Sequence, residues 1–127
     1  MHYEIWTVAT IKIQIKRVYD PPKNDDGLRV LVDRLWPRGL KKADARIDFW
    51  AKELAPTTSL RKWFNHEEQK FSEFRLRYFE ELETKHNAAR KMLDQAAEGT
   101  ITLLFAAKDR SYNQAIVLQS FLSEDLT

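Results

Sequence analysis

At 127 residues, with 43% hydrophobic and 31% charged side chains, the chain has the size of one globular domain, long enough to bury a core and too short for two. Its 21 Lys and Arg against 19 Asp and Glu give a formal charge of +2, too small a bias to argue for nucleic acid on charge alone. Cysteine is absent, which excludes disulfides, a thiolate nucleophile and Cys-based zinc or iron–sulfur sites. The opening MHYEIWTVAT lacks the pattern of a signal peptide and no run of 18 apolar residues occurs, so the expectation is a cytoplasmic protein with no membrane partner.

In Thr7–Val18, Ile11, Ile13 and Ile15 alternate with Lys12, Gln14 and Lys16, the period of a strand with one wet face. Two prolines, a glycine and four polar residues make Asp20–Gly27 a surface loop. It is shorter than the usual helical crossover, which leaves the relative direction of the first two strands open. Val30, Leu31 and Val32 then run without alternation into Asp33 and Arg34, as a strand buried on both faces does at a functional edge. Trp36-Pro37-Arg38-Gly39 follows as a rigid turn. The plainer expectation for this stretch is a structural Asp33–Arg34 ion pair with Trp36 capping the core.

Lys41–Arg46 reads as a solvated connection, and Ile47–Leu54 fits both the helical and the strand period; a third strand is favoured because Ala55-Pro56-Thr57-Thr58-Ser59 closes it and then supplies a helix N-cap. Arg61 then lies in a first helical turn, where a cation opposes the macrodipole slightly: pointed at the strand ends it serves a bound anion better than the helix, and the plainer expectation is an exposed Arg paired with a nearby Glu. Phe71, Phe74, Tyr78 and Leu82 recur at helical spacing within Glu67–Glu83, a stripe assigned to packing. Asn87–Ala97 is a second helix, capped by Asn87 and stopped by Gly99. Ile101–Ala106 is a second central strand ending in Lys108, Asp109 and Arg110, and Ser111 caps a last helix running through Leu122.

The fold expected is α/β: a small, mostly parallel sheet of about four strands with helices on both faces, a single three-layer domain over residues 1–127. Ligands of such sheets bind outside the strands' carboxyl ends, so two buried strands ending in charge predict one crevice. Its residues are Asp33 and Asp109 as candidate general bases, with Arg34, Trp36, Arg38, Arg61, Lys108 and Asn113 as ligand-binding groups. His2, His66 and His86 are too scattered for a metal site, and three glycines build neither a P-loop nor a dinucleotide turn, so no metal or cofactor is assigned. Three functions follow: a binder of a small anionic, phosphorylated or nucleotide-like ligand; a small enzyme acting on such a ligand; and, third, a nucleic-acid module with Trp36 and Trp63 stacking bases among Arg38, Lys41, Lys42, Arg61 and Lys62. An arginine neighbour depresses a carboxylate's pKa, which weighs against the enzyme.

The segments KRVYD, DGLRVLVDRLWPRGLKK, LAPTTSLRKWF and TLLFAAKD followed by Asn113 occur in order over most of Lys16–Leu122. In them the chain resembles the YeaO-like family of uncharacterised proteins, within a larger group known only as a domain of unknown function (family four-eight-eight). The resemblance implies an α/β fold and no established activity. Members of the broader group carry cysteine motifs after the last strand, where this chain has Phe105-Ala106-Ala107-Lys108-Asp109, so no thiol or metal role carries over.

Overall fold

Four strands, β1 (Lys12–Arg17), β2 (Leu28–Leu31), β3 (Phe49–Trp50) and β4 (Thr100–Phe105), form one parallel sheet in the order β1-β4-β2-β3. They are seen in a computed structural model that describes residues 11–96 and 99–125. The non-alternating runs are the two central strands, as expected: Val30, Leu31, Val32, Ile101, Leu103 and Leu104 are all fully buried. Val32 extends β2 by one bond, from its N–H to the Leu104 carbonyl at 3.0 Å.

The direction left open by the sequence is parallel. Both β1 and β2 pair with β4 and flank it, so the connection between them crosses the sheet through a short 3-10 turn at Asn24–Asp26. Of the expected first strand, residues 7–10 lie outside the described residues. The third strand is shorter than Ile47–Leu54. β2 ends at Leu31, whose carbonyl takes the Ala51 N–H at 2.8 Å; with no further partner, the chain turns into a 3-10 helix over Lys52–Leu54.

Among the described residues the α-helices are α1 (Lys42–Ala45), α2 (Thr58–Phe64), α3 (Phe71–Leu82), α4 (His86–Ala96) and α5 (Gln114–Asp125). Ile101, Leu103 and Phe105 share one core with Val30, Phe74, Tyr78, Leu82, Met92, Leu118 and Phe121, so α3, α4 and α5 pack on one sheet face. The alternate residues, Arg29 and Thr102, point the other way and meet α1 and the 3-10 turn. Arg29 donates to the carbonyls of Ala45 (2.9 Å) and Arg46 (3.0 Å) and to Asp26, and Thr102 donates to the Asp26 carbonyl at 2.6 Å.

Further boundaries depart from expectation: the helix expected over Glu67–Glu83 is a 3-10 turn at Glu68–Lys70 followed by α3. Lys41–Arg46 contains the one-turn helix α1 rather than a bare connection. Asn87 lies inside α4, because the Lys85 carbonyl already accepts the Ala89 N–H at 3.0 Å. The cap of α5 is Asn113, whose Oδ1 accepts the Ile116 N–H at 3.1 Å; the Ser111 N–H is itself taken by Asp109.

Candidate functional site

A cavity of about 700 Å³ opens where β2 and β4 end. Its walls come from the turn after β2, the start of α2 and the loop after Ala106. Asp33, Arg34, Trp36, Arg38, Arg61, Lys108 and Asp109 all line it. Asn113 does not: it is 1% exposed, spends its Oδ1 on the α5 cap and donates its amide to the Asp109 carbonyl at 2.9 Å.

The turn after β2 is built from local chemistry. Leu40 N–H closes on the Pro37 carbonyl at 3.4 Å while Gly39 takes φ +76, the conformation that the third position of a type II turn requires. Trp36 donates its indole N–H to the Leu40 carbonyl at 2.7 Å and meets Trp50 edge-on, with centroids 5.6 Å apart. Arg34 reaches across to α2's approach, donating Nε to Pro56 O (2.8 Å) and Nη2 to Ala55 O (3.2 Å). It is therefore a strut of the wall, and no ion pair joins it to Asp33 among those between described residues.

Asp33 is instead held by the other central strand and the last helix. Its Oδ2 accepts the Ala106 N–H at 3.0 Å and its Oδ1 accepts the Gln114 side-chain amide. Burial pushes its carboxyl up to about 6, outweighing the opposing pull of those two bonds and of the Arg61 charge. Asp109 has the opposite environment. Its Oδ1 accepts the N–H groups of Tyr112 (2.9 Å) and Ser111 (2.8 Å), which hold its carboxyl below the usual range. An Asp fixed in such a turn and held ionised is a poor proton acceptor near neutrality. Arg61 contributes the most unusual group: its Nε is buried and has no hydrogen-bond partner among the described residues.

Sequence reasoning missed Tyr19, His66 and Gln114, which also line the cavity, and its apolar wall of Leu35, Phe64 and Phe74. Tyr19 stands two residues beyond β1, as Asp33 does beyond β2, so the rule that nominated Asp33 would have found it had the strand order been known. His66 is delivered by two successive left-handed residues, Asn65 (φ 48) and His66 (φ 56), after α2. Asn is a common left-handed helix terminator, and that was the available signal. Among the described residues no group of three or more His, Asp or Glu could hold a metal ion, and no helix is long and apolar enough to cross a membrane.

Residues 12–127 match the family described as the inactive DUF488-N3 subclade, and the chain belongs to it. It is similar to the uncharacterized protein YeaO of Escherichia coli, 46% identical over 112 residues that cover 88% of this chain and 97% of that one. The uncharacterized protein Rv3073c of Mycobacterium tuberculosis is 36% identical over 116 residues, covering 91% of this chain and 98% of its own. No solved structure matches.

Proposed function

We propose that this member of the inactive DUF488-N3 subclade is a non-catalytic binder of a small anionic ligand, phosphorylated or nucleotide-like, held in the cavity at the ends of β2 and β4. One observation carries the reading: the buried Arg61 Nε is a charged donor with no acceptor among the described residues, at the wall of a cavity that also holds Arg38 and Lys108. An unsatisfied buried donor costs stability, and an anion in the cavity repays it with a charge-assisted bond. The apolar wall of Leu35, Phe64 and Phe74 suits a ligand with a hydrophobic or ring-shaped body. The family's description as inactive fits a site that binds without turnover.

Asp33 supports a second reading, a small enzyme with Asp33 as general base, since a carboxyl at about 6 is matched to proton transfer near neutrality. The nucleic-acid reading has less behind it. Trp36 is tied by its indole N–H, and the Trp63 ring is already covered by Arg77 at 4.4 Å and Lys70 at 5.1 Å.

The test is a thermal-shift screen of phosphorylated metabolites and nucleotides on the wild-type chain and on Arg61→Met. A ligand at ~100 times its dissociation constant stabilises the wild type by about 2.7 kcal/mol. Arg61→Met should lose that gain; equal gain in both would remove Arg61 from the site. Turnover of the hit by wild type and not by Asp33→Asn would favour the enzyme.

A further inference from the structure

Arg61 and Asp33 face the same cavity from opposite sides of the chain, one on α2 and one beyond β2, and the Arg61 charge is felt at the Asp33 carboxyl. An anion accepted by the buried Arg61 Nε therefore arrives beside a second negative group. Two negative groups sharing a poorly solvated site cannot both stay ionised at low cost. Each Asp33 oxygen has one bond from the protein, from Ala106 N–H and from Gln114, and a carboxyl oxygen has room for a proton besides.

We propose that Asp33 takes up one proton from solvent as an oxyanion binds at Arg61, and that the carboxylic O–H so formed donates to the ligand. This rests on the anion-site reading above and adds the chemistry that selects the ligand: an oxyanion with a free acceptor oxygen, phosphate ester, sulfate or carboxylate, bound with its proton rather than against a bare carboxylate. Asp33 is then a specificity-determining residue. Its balance is simple, since one H⁺ moves from water to a carboxylate oxygen and nothing is oxidised or reduced.

The groups around Asp33 agree with that direction. Burial already favours its neutral form, which sets it at about 6, so the proton is close to being bound before the ligand comes. From α3, Tyr78 is fully buried, its hydroxyl donating to the Leu54 carbonyl at 2.5 Å and pushed well above its ordinary value by burial, so it stays neutral. Arg34 is engaged with Ala55 and Pro56 carbonyls. Tyr19, Lys108, Arg38, Asp109 and His66 also line the cavity, and His66, its one histidine among the described residues, is given its own control.

Sulfate is the probe, because it does not titrate above strongly acidic pH. Isothermal titration of wild type, Asp33→Asn, His66→Gln and Arg61→Met would be run at about pH 6 and about pH 8, in two buffers of different ionisation enthalpy. At about pH 8 roughly one Asp33 in a hundred carries a proton in the free protein. Wild-type affinity should therefore fall on the order of 50-fold between the two pH values, with close to one proton taken up per sulfate at the higher. Asp33→Asn, which mimics the protonated acid, should bind with almost the same affinity at both pH values and take up none; His66→Gln should behave as wild type.

Wild-type affinity independent of pH, no proton uptake, or an Asp33→Asn variant that cannot bind sulfate at all would overturn the proposal. If His66→Gln is what abolishes the pH dependence, the proton belongs to His66 and the proposal also fails. Should Asp33→Asn not fold, the proton count on the wild type decides alone. Failure of the anion site itself looks different: no sulfate binding by the wild type even at about pH 6, or undiminished binding by Arg61→Met. Carboxylate and phosphate-ester ligands are told apart by repeating the wild-type titration with benzoate and phenyl phosphate.

Discussion

Gln114, the first residue of α5, donates its side-chain amide to Asp33 Oδ1, 81 residues earlier in the chain, at the end of a central strand. The other Asp33 oxygen takes the Ala106 N–H beyond β4. One carboxyl thus ties together three segments that form the back of the cavity. Removing the Gln114 bond leaves the burial that opposes the charge and deletes one group that favours it. Gln114→Ala should raise the Asp33 midpoint above about 6, as read from the side-chain carboxyl signal in an NMR titration; a midpoint that falls would show that Gln114 shields Asp33 rather than bonding to its charged form.

The same carboxyl should leave a mark on stability. Its folded value, about 6, lies above the ordinary 3.8, so the folded chain binds more protons than the unfolded one between them. Its stabilising share is present in full below the lower value and is lost as pH rises through the upper. The difference amounts to about 3 kcal/mol at neutrality. Asp33→Asn escapes this loss. Denaturant unfolding should show the variant gaining on wild type from about pH 4 to about pH 7, whatever their offset at the lower pH.

Asp26 should behave with the opposite sign. Burial opposes its charge, but the Lys23 N–H with Lys16 and Arg29 outweighs that and holds its carboxyl below 3.8. Its share of stability is present above that value and is lost as pH falls through the folded one. Asp26→Ala leaves Arg29, 5% exposed, without its carboxylate, and should cost about 3–5 kcal/mol. A cost below about 1 kcal/mol in denaturant unfolding would mean that the Ala45 and Arg46 carbonyls suffice for the guanidinium.

The parts of this molecule that could be read from the chain are those that local pattern controls. Val30–Val32 and Ile101–Phe105 are apolar on both faces, so they had to be central strands. Phe74, Tyr78 and Leu82 recur at helical spacing and are buried together. That Asp33, Arg38, Lys108 and Arg61 lie near one another followed from strand ends and an N-cap within Ala55–Ser59, which the structure places at Thr57, whose hydroxyl accepts the Leu60 N–H at 3.3 Å. The rest depends on partners far away in sequence. Trp50 ends a two-residue strand because β2 gives it nothing more to pair with, and its indole N–H goes to the Asp33 carbonyl at 2.7 Å. Asn113 follows the charged end of β4 in the sequence, and nothing local distinguishes a buried cap from an open donor there.

Two glycines in left-handed backbone offer a contrast. Gly27 (φ +64) would place an added Cβ 2.1 Å from the Thr100 carbonyl oxygen, whereas nothing lies within 4 Å of one at Gly39 (φ +76). Both alanine variants pay the backbone cost of about 1–2 kcal/mol. Gly27→Ala must in addition push the loop off the start of β4. Thermal melts should place Gly27→Ala well below Gly39→Ala; equal losses would mean that the 3-10 turn shifts freely.

Three of the cavity's cations, Arg38, Lys108 and Arg61, differ in solvation, and that difference makes a separable prediction. Arg38 and Lys108 are exposed, with no side-chain bond between described residues to lose; the Arg38 carbonyl, which accepts the Tyr19 hydroxyl at 2.7 Å, survives truncation. Arg38→Ala with Lys108→Ala should therefore leave stability within about 0.5 kcal/mol of wild type. Exposed charges act through screened fields, so the double variant should weaken sulfate binding at low salt and matter little near 1 M salt, where the Debye length is about 3 Å. On the proposed site Arg61 would hold the anion from its buried Nε, so the deficit of Arg61→Met should persist at both salt concentrations. Titrating sulfate at low and high sodium chloride for the three proteins separates the roles. A double variant that melts several degrees early makes Arg38 or Lys108 part of the fold instead, and a deficit of Arg61→Met that vanishes with salt puts the anion at the rim, away from Asp33.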